Sequence, residues 1–121
     1  MEPTRKKPYD LEERTLAFAK AIREFVKTLP RSIANIEDGK QLVRSSGSVG
    51  ANYIEANEAL SKKDFVMRMK IARKEAKESR YWLKIIEAGP LEERRAILEQ
   101  EATELMLILS AILRKSERSP P

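Results

Sequence analysis

Apolar residues return every three or four positions along four stretches of the chain, which is the spacing of helices with one buried face. The first stretch starts after Asp10, which stands in capping-box spacing with Glu13, and stops at Pro30. Ser32 and Ser61 are the predicted N-caps of the second and third stretches. Together these signals predict helices at about 10–29, 32–60, 62–88 and 90–116.

The second helix contains a run of small residues, Ser45-Ser46-Gly47-Ser48-Val49-Gly50-Ala51. Helix propensity alone predicts a break here, because each glycine costs about 1 kcal/mol relative to alanine. The competing interpretation is a continuous helix whose small residues let a neighbouring backbone come close. The helical phase continues from Ile36 to Ile54, which favours the continuous helix. Its predicted core face consists of Ile33, Ile36, Val43, Gly47, Gly50 and Ile54.

The other three helices each carry one apolar stripe. Gly89-Pro90 divides the third helix from the fourth, because Gly commonly follows a helix and Pro commonly opens one. Four long helices with short connections predict an all-α, up-down-up-down antiparallel four-helix bundle over residues 10–116. Residues 1–9 are expected to form a flexible basic arm, and residues 117–121 a flexible tail. The predicted core positions of these three helices are Leu11, Thr15, Phe18, Ile22, Phe25 and Leu29; Phe65, Met69, Ala72, Ala76, Ser79, Leu83 and Ile86; and Leu91, Leu98, Ala102, Leu105, Leu109 and Ile112.

Positive charge is concentrated on the third helix. Residues 62–84 hold nine Lys or Arg and three Asp or Glu, a net charge of +6, whereas the whole chain carries +5. Such a local field attracts polyanions and is typical of nucleic-acid-binding surfaces. The alternative is a solvated helix face braced by pairs such as Lys74 with Glu78. The residues predicted to contact phosphates are Arg44, Lys63, Lys70, Arg73, Lys77, Arg80 and Lys84.

Two aromatic residues, Tyr81 and Trp82, adjoin the basic stripe and have the chemistry to stack on unpaired bases. Packing is the alternative for both, and for Trp82 it is the preferred one. Apolar residues also lie off the main stripes: Ile85 on the third helix, and Ile97, Met106, Ile108 and Leu113 on the fourth. Either the core is broad, or a second apolar strip meets another subunit. We expect a homo-oligomer whose interface includes Met67, Ile71 and Trp82.

The composition argues against catalysis. The chain has no histidine and no cysteine, which excludes Ser-His-Asp and Cys-His catalysis and the Glu-x-x-His ligands of di-iron bundles. The segment GSVGAN lacks the Gly-Lys-Ser/Thr of a P-loop. We expect no enzymatic activity, no cofactor and no metal. The longest aliphatic run, Leu105 to Leu109, is too short to cross a bilayer, and the N-terminus lacks the apolar region of a secretory signal. A soluble cytoplasmic protein is expected.

The stretch from Gln41 to Ile86 resembles the four-helix-bundle proteins first noticed as open reading frames in intervening sequences of bacterial 23S rRNA genes. The matching residues are Gln41, Leu42, Arg44, the small residues 45–51, Asn52 and Glu55 on the second helix, and Phe65, Ile71-Ala72 and Glu78 on the third. The commoner family form is Asn-Ile-Ala-Glu-Gly, whereas this chain has Asn52-Tyr53-Ile54-Glu55-Ala56. This chain therefore looks like a sub-branch in which the missing glycine lengthens the second helix.

The resemblance implies a bundle that assembles into a homopentameric ring. It also implies similarity to the accessory proteins of diversity-generating retroelements, which associate with a reverse transcriptase and with nucleic acid. Asn52, Glu55 and Glu78 are expected to form a structural polar network with Arg44 or Lys74, because a buried charge requires a partner.

Three functional hypotheses follow from the sequence. The first is a non-catalytic, oligomeric bundle that binds RNA or DNA through the third helix. The second is a protein-interaction scaffold or accessory subunit, for example of a reverse transcriptase, without direct nucleic-acid readout. Peripheral membrane binding ranks last, because the basic helix has no separate, strongly apolar exposed face.

Overall fold

A computed structural model describes residues 10–118 and shows four α-helices in that range: α1 (Leu11–Lys27), α2 (Ile33–Asn57), α3 (Lys62–Ile85) and α4 (Glu92–Arg118). A single 3-10 turn, Gly89–Leu91, precedes α4. The all-α, up-down-up-down antiparallel four-helix bundle is confirmed. The predicted N-terminal arm, 1–9, and the end of the predicted tail, 119–121, lie outside the described residues. Two residues of the predicted tail, Glu117 and Arg118, belong to α4.

Side-chain pairs between neighbouring helices show their antiparallel register. On α2 and α3, Ser45 contacts Ser79 and Asn52 contacts Arg68, so one number rises as the other falls. The α3–α4 pairs follow the same rule, with Lys70 beside Glu117 and Lys84 beside Glu99. At one end of the bundle, the Asn35 side-chain amide donates to the backbone carbonyls of Pro30 and Glu87, both at 2.9 Å. Asn35 therefore ties the start of α2 to the ends of α1 and α3.

Two of the three predicted N-caps are confirmed. The Ser32 hydroxyl accepts a hydrogen bond from the backbone N–H of Asn35 at 3.0 Å, and Ser61 accepts from Asp64 at 3.1 Å. Each serine satisfies one N–H that the first turn of a helix leaves without a partner. Asp10 stands at the N-cap of α1, but its side chain makes no capping hydrogen bond.

Helix α2 is continuous through its small residues, as the apolar phase indicates. Half of its predicted core face is wrong: Val43, Gly47 and Gly50 are partly buried, but the three isoleucines are exposed. Ile33 is 84% exposed, and Ile36 and Ile54 are also exposed. The reason is that α2 lies between α1 and α3, and the side that contacts both helices carries small residues. A Cβ atom on Gly50 would lie 2.7 Å from Thr15 Oγ1 of α1. The buried residues of α2 are Asn35, Gly39, Leu42, Ser45, Ser46, Val49 and Ala56.

The stripes predicted for α1, α3 and α4 do form the core. Leu29, Phe65, Leu91 and Ile112 are partly buried, and the other predicted positions of these three helices are buried. The sequence analysis placed Leu113 outside the main stripe of the fourth helix. It is 1% exposed and belongs to the core. The core also contains a polar contact, since the Ser45 and Ser79 hydroxyls lie 2.8 Å apart between α2 and α3.

The two glycines of the small segment are expected to respond in opposite ways to alanine. Gly50→Ala places a methyl group against Thr15, so α1 and α2 must separate, and we expect a loss of about 1–2 kcal/mol in the free energy of unfolding. Gly47→Ala meets only the flexible Arg23 guanidinium at 3.4 Å, and higher helix propensity should stabilise it by up to about 1 kcal/mol. Urea unfolding measures both. Equal stability of the two variants would contradict the close approach of the helices.

Candidate nucleic-acid interface

The outward side of α3 carries a row of four lysines at seven-residue intervals. These residues, the lysine row, are Lys63, Lys70, Lys77 and Lys84, and all four side chains are exposed. Seven residues make nearly two turns, so side chains at this interval stay on one side of a helix, about 10.5 Å apart. The core residues of α3, such as Met69 and Ala76, lie on the other side. The sequence predicted each of these lysines as a phosphate contact, and the structure places them together.

Two members of the lysine row also contact acidic residues of α4. Lys70 Nζ lies 3.6 Å from Glu117 Oε2, and Lys84 Nζ lies 2.9 Å from Glu99 Oε2. Lys63 and Lys77 form no hydrogen bond or ion pair with any residue between 10 and 118. Two lysines of the row thus form ion pairs with α4. The ammonium groups of the other two, Lys63 and Lys77, have no protein partner among residues 10–118.

Arg73 and Arg80 lie between the lysine row and the core, on the flank of α3 that faces α4. Both side chains are half-buried, and neither forms an ion pair within the described part of the chain. Their guanidinium groups therefore border the lysine row on its α4 side.

Arg44 lies apart from the lysine row. It belongs to α2, and its Nη2 atom lies 2.5 Å from Glu78 Oε2 and 3.3 Å from Glu75 Oε1, on the opposite flank of α3. The hydrogen bond to Glu78 is the main cause that raises the pKa of Arg44 above its ordinary value. The sequence predicted Arg44 both as a phosphate contact and as a partner of Glu78, and the structure shows the contact with Glu78.

Glu75 is the residue of this contact that the sequence analysis missed. It is 7% exposed, and its Oε1 atom has an ion-pair distance to Arg44 but no aligned hydrogen bond. A buried carboxylate needs a nearby cation, so Glu75 depends on Arg44. The signal was present in the sequence, because Glu75 follows Ala72 by three positions and precedes Ser79 by four, which places it at the edge of the core stripe.

The predicted polar network is divided into separate contacts along the α2–α3 seam. Asn52 accepts a hydrogen bond from Arg68 at 3.2 Å, while Glu78 accepts from Arg44 and, at 3.2 Å, from the indole N–H of Trp82. Glu55 is exposed and makes no polar side-chain contact with the described residues.

Lys74 is not the partner of Glu78, although the two are four residues apart on α3. Glu78 is bound to Arg44 of α2 instead, and Lys74 is exposed without a hydrogen bond or ion pair in the described range. Because Glu75 and Glu78 both turn towards Arg44, they do not neutralise the outward lysines of their own helix. Lys74 therefore adds a fifth exposed ammonium group beside the lysine row.

The aromatic pair and the predicted interface residues differ in burial. Trp82 is half-buried against the core, and its ring lies 5.2 Å from that of Tyr81 at an interplanar angle of 73°. Tyr81 is 56% exposed. Met67 is 47% exposed, and Ile71 is half-buried beside it. Trp82 packs against the core, as the preferred interpretation predicted. Tyr81 is exposed to solvent, between Lys77 and Lys84 in the sequence.

Acidic residues of α4 also form ion pairs with arginines. Arg14 of α1 binds Glu101 and Glu104, at 2.7 and 2.8 Å. Arg95 binds Glu92 and Glu99, both at 2.7 Å, and donates to the carbonyl of Leu83.

The pKa of Glu99 is lowered below its ordinary value. The hydrogen bond from Lys84 is the largest cause, and the hydrogen bond from Arg95 is the next. These contacts hold α4 against α1 and α3.

Between residues 10 and 118, no group of His, Cys, Asp and Glu side chains has an arrangement that could hold a metal ion. Over the same range, no helix combines the length and apolar character needed to span a bilayer.

The fold and the charges define a class of protein, an antiparallel four-helix bundle with a lysine-rich outer face on α3. A family model described as 23S rRNA-intervening sequence protein matches residues 8–115. The chain belongs to this family, which agrees with the resemblance seen in residues 41–86.

A structural relative supports the same fold. The crystal structure of a protein of unknown function from the S23 ribosomal protein family of Bacteroides thetaiotaomicron is 30% identical in sequence, with a TM-score of 0.71. The match covers 85% of this chain and 97% of that chain. No curated protein matches the chain.

Removal of the Arg44 cation is expected to destabilise the bundle. Arg44→Gln leaves Glu75 buried without a positive partner, and we expect a loss of about 1–2 kcal/mol, between the values for exposed and buried pairs. A second substitution, Glu75→Gln, should recover part of that loss because it removes the uncompensated charge. Urea unfolding of both variants measures the coupling. Arg94→Gln is the control, since Arg94 is exposed without an ion pair among residues 10–118; equal stability of Arg44→Gln and this control would contradict the assignment.

Proposed function

We propose that this protein is a non-catalytic, basic helical bundle that binds RNA or DNA through α3. The observation that carries the proposal is the lysine row together with Lys74, five exposed ammonium groups along one side of a helix. The alternative interpretation, a solvated helix face braced by local ion pairs, fits the structure less well. The two acids that would pair locally, Glu75 and Glu78, are bound to Arg44 of another helix.

The length of the lysine row suits a phosphate backbone. Lys63 and Lys84 are 21 positions apart, which corresponds to roughly 32 Å along the helix axis. One strand of duplex DNA carries a phosphate about every 3.4 Å, so the row spans roughly nine phosphates. Each lysine that neutralises a phosphate releases condensed counterions, so binding should weaken steeply as salt increases. Arg73 and Arg80 border the row and add positive potential on its α4 side.

Reversing charge within the row tests this proposal. Lys63→Glu/Lys77→Glu changes the two members that lack a protein partner among residues 10–118, so stability should be preserved. We expect the affinity for a labelled structured RNA to fall at least about tenfold at low salt, and the slope of log affinity against log salt to decrease by about two. Fluorescence anisotropy of nuclease-treated protein measures both quantities.

The matched control is Lys20→Glu/Arg23→Glu, which makes the same change of net charge on the exposed side of α1. It should retain most of the affinity and the salt slope. If both double variants lose affinity equally, net charge and not the lysine row governs binding. If wild-type protein does not bind at low salt, the row is a solvated face and the proposal fails.

We extend the proposal to a cytoplasmic homo-oligomer, with a pentameric ring as the assembly that the sequence resemblance implies. Met67 and Ile71 line a shallow groove of about 430 Å³ on the outer side of α3, together with Val66 and with Lys63, Lys70 and Lys74 of the basic face. Trp82, another predicted interface residue, is half-buried; it packs on the core and donates to Glu78.

The oligomer is tested at Met67, which is the most exposed residue of this interface. Met67→Asp places a charge in the groove, and we expect smaller assemblies by light scattering, with helical content retained in circular dichroism. Leu107→Asp is the control, since Leu107 is also exposed but lies on α4. An unchanged mass for Met67→Asp would place any interface elsewhere.

A second candidate function is a protein-interaction scaffold, favoured by a groove between α1 and α2. The groove has a volume of about 620 Å³ and an apolar floor that includes Val26 and Val43. Its rim is mainly basic, which complements an acidic amphipathic helix of a partner protein; a reverse transcriptase is the partner that the sequence resemblance implies. The rim residues are Lys27, Arg31 and Lys40. Absence of RNA binding by wild-type protein at low salt would favour this candidate over the first.

A further inference from the structure

We infer that Tyr81 is a stacking platform for an unpaired base, so that α3 binds single-stranded nucleic acid in preference to duplex. The inference rests on the proposed function and specifies the form of nucleic acid that this site takes. It starts from the position of the ring, which is 56% exposed on the outward side of α3.

Lysines surround Tyr81 along the helix. Lys77 precedes it by four positions and Lys84 follows it by three, so both lie on the same side of α3, about one turn away. Lys74 precedes it by seven positions and is exposed on the same side. A strand held by these ammonium groups therefore passes over the aromatic ring. An exposed tyrosine by itself needs no explanation, but an exposed tyrosine between phosphate-binding residues has the chemistry of a base-binding site.

The structure supports the ring on one side. Trp82 meets Tyr81 in an edge-to-face arrangement at 5.2 Å, a favourable geometry for aromatic pairs. Trp82 is held in turn by its packing on the core and by the hydrogen bond from its indole N–H to Glu78. Glu78 is bound to Arg44 of α2. This series of contacts connects the exposed ring to a fixed position in the bundle, which reduces the conformational freedom lost when a base stacks.

The Tyr81 hydroxyl forms no hydrogen bond with any described residue. Neither burial nor a polar contact of the hydroxyl therefore explains an aromatic residue here. Stacking uses the face of the ring and is tolerant of sequence, because every base has a π-face. In a duplex the bases are paired and stacked on one another, so the same ring contributes little. Selection for single strands follows from this difference.

The experiment compares three labelled probes of equal phosphate number: oligothymidylate, the same backbone with abasic sites, and a duplex. Wild-type protein should bind oligothymidylate most tightly. Tyr81→Leu keeps an apolar side chain but removes the ring, and should weaken oligothymidylate binding about tenfold while leaving the abasic probe unchanged. Tyr81→Phe keeps the ring and should bind like wild type. Lys77→Gln, the phosphate control, should weaken binding of all three probes by a similar factor.

A second readout comes from Trp82, the sole tryptophan of the chain. Because its ring lies 5.2 Å from Tyr81, a base stacked on Tyr81 should change the Trp82 emission, whereas the abasic probe should not. The inference is overturned if wild type binds the oligothymidylate and abasic probes equally, or if Tyr81→Leu weakens both by the same factor. Equal, salt-sensitive binding of all probes overturns only this inference. Absence of binding at low salt overturns the proposed function as well.

Discussion

The guanidinium of Arg44 holds two carboxylates of the neighbouring helix, and much of the outer surface depends on that contact. Glu75 is buried and Glu78 is half-buried, so both carboxylates benefit from a cation, and Arg44 of α2 supplies it. Because both acids turn towards α2, they do not neutralise the lysines on the outward side of α3. Glu78 also receives the indole N–H of Trp82, which fixes the aromatic pair at the edge of the lysine row. One contact between helices thus separates the charges of α3 into an acidic seam and a basic face.

This contact requires α2 and α3 to lie close together, which explains the small residues of α2. Ser45 is buried one position after Arg44 and meets Ser79 one position after Glu78, so the hydroxyl contact and the ion pair share one register. On the side towards α1, Gly50 leaves space for Thr15, whose hydroxyl donates to the backbone carbonyl of Leu11 at 2.6 Å. The helix keeps its continuity because packing of these small residues outweighs the low helix propensity of glycine.

The sequence predicts three of the four helices well because their large apolar residues are also their buried residues. On α2 this relation fails for the isoleucines: Ile33, Ile36 and Ile54 have the helical spacing of a core face but are exposed. The residues that neighbouring helices bury include Gly39, Ser45 and Ser46. Hydrophobicity ranks isoleucine as the core residue, whereas close helix packing selects for small volume. The same limit applies to Glu78, because Lys74 and Arg44 compete for it and only the tertiary structure decides between them. The seven-residue spacing of the lysines, in contrast, was readable from the sequence.

Two ion pairs connect the lysine row to α4, so the proposed polyanion binding and the stability of the bundle are coupled. A phosphate that takes Lys70 or Lys84 competes with Glu117 or Glu99, and each weakens the hold of the other on the ammonium group. Such linkage is reciprocal: a stronger ion pair between α4 and Lys70 or Lys84 lowers the affinity of that lysine for a phosphate by the same coupling free energy. Under the proposed function, Glu117 and Glu99 of α4 compete with phosphates for these two lysines. The affinity of the proposed binding face therefore depends on side chains of α4 as well as on the lysines of α3.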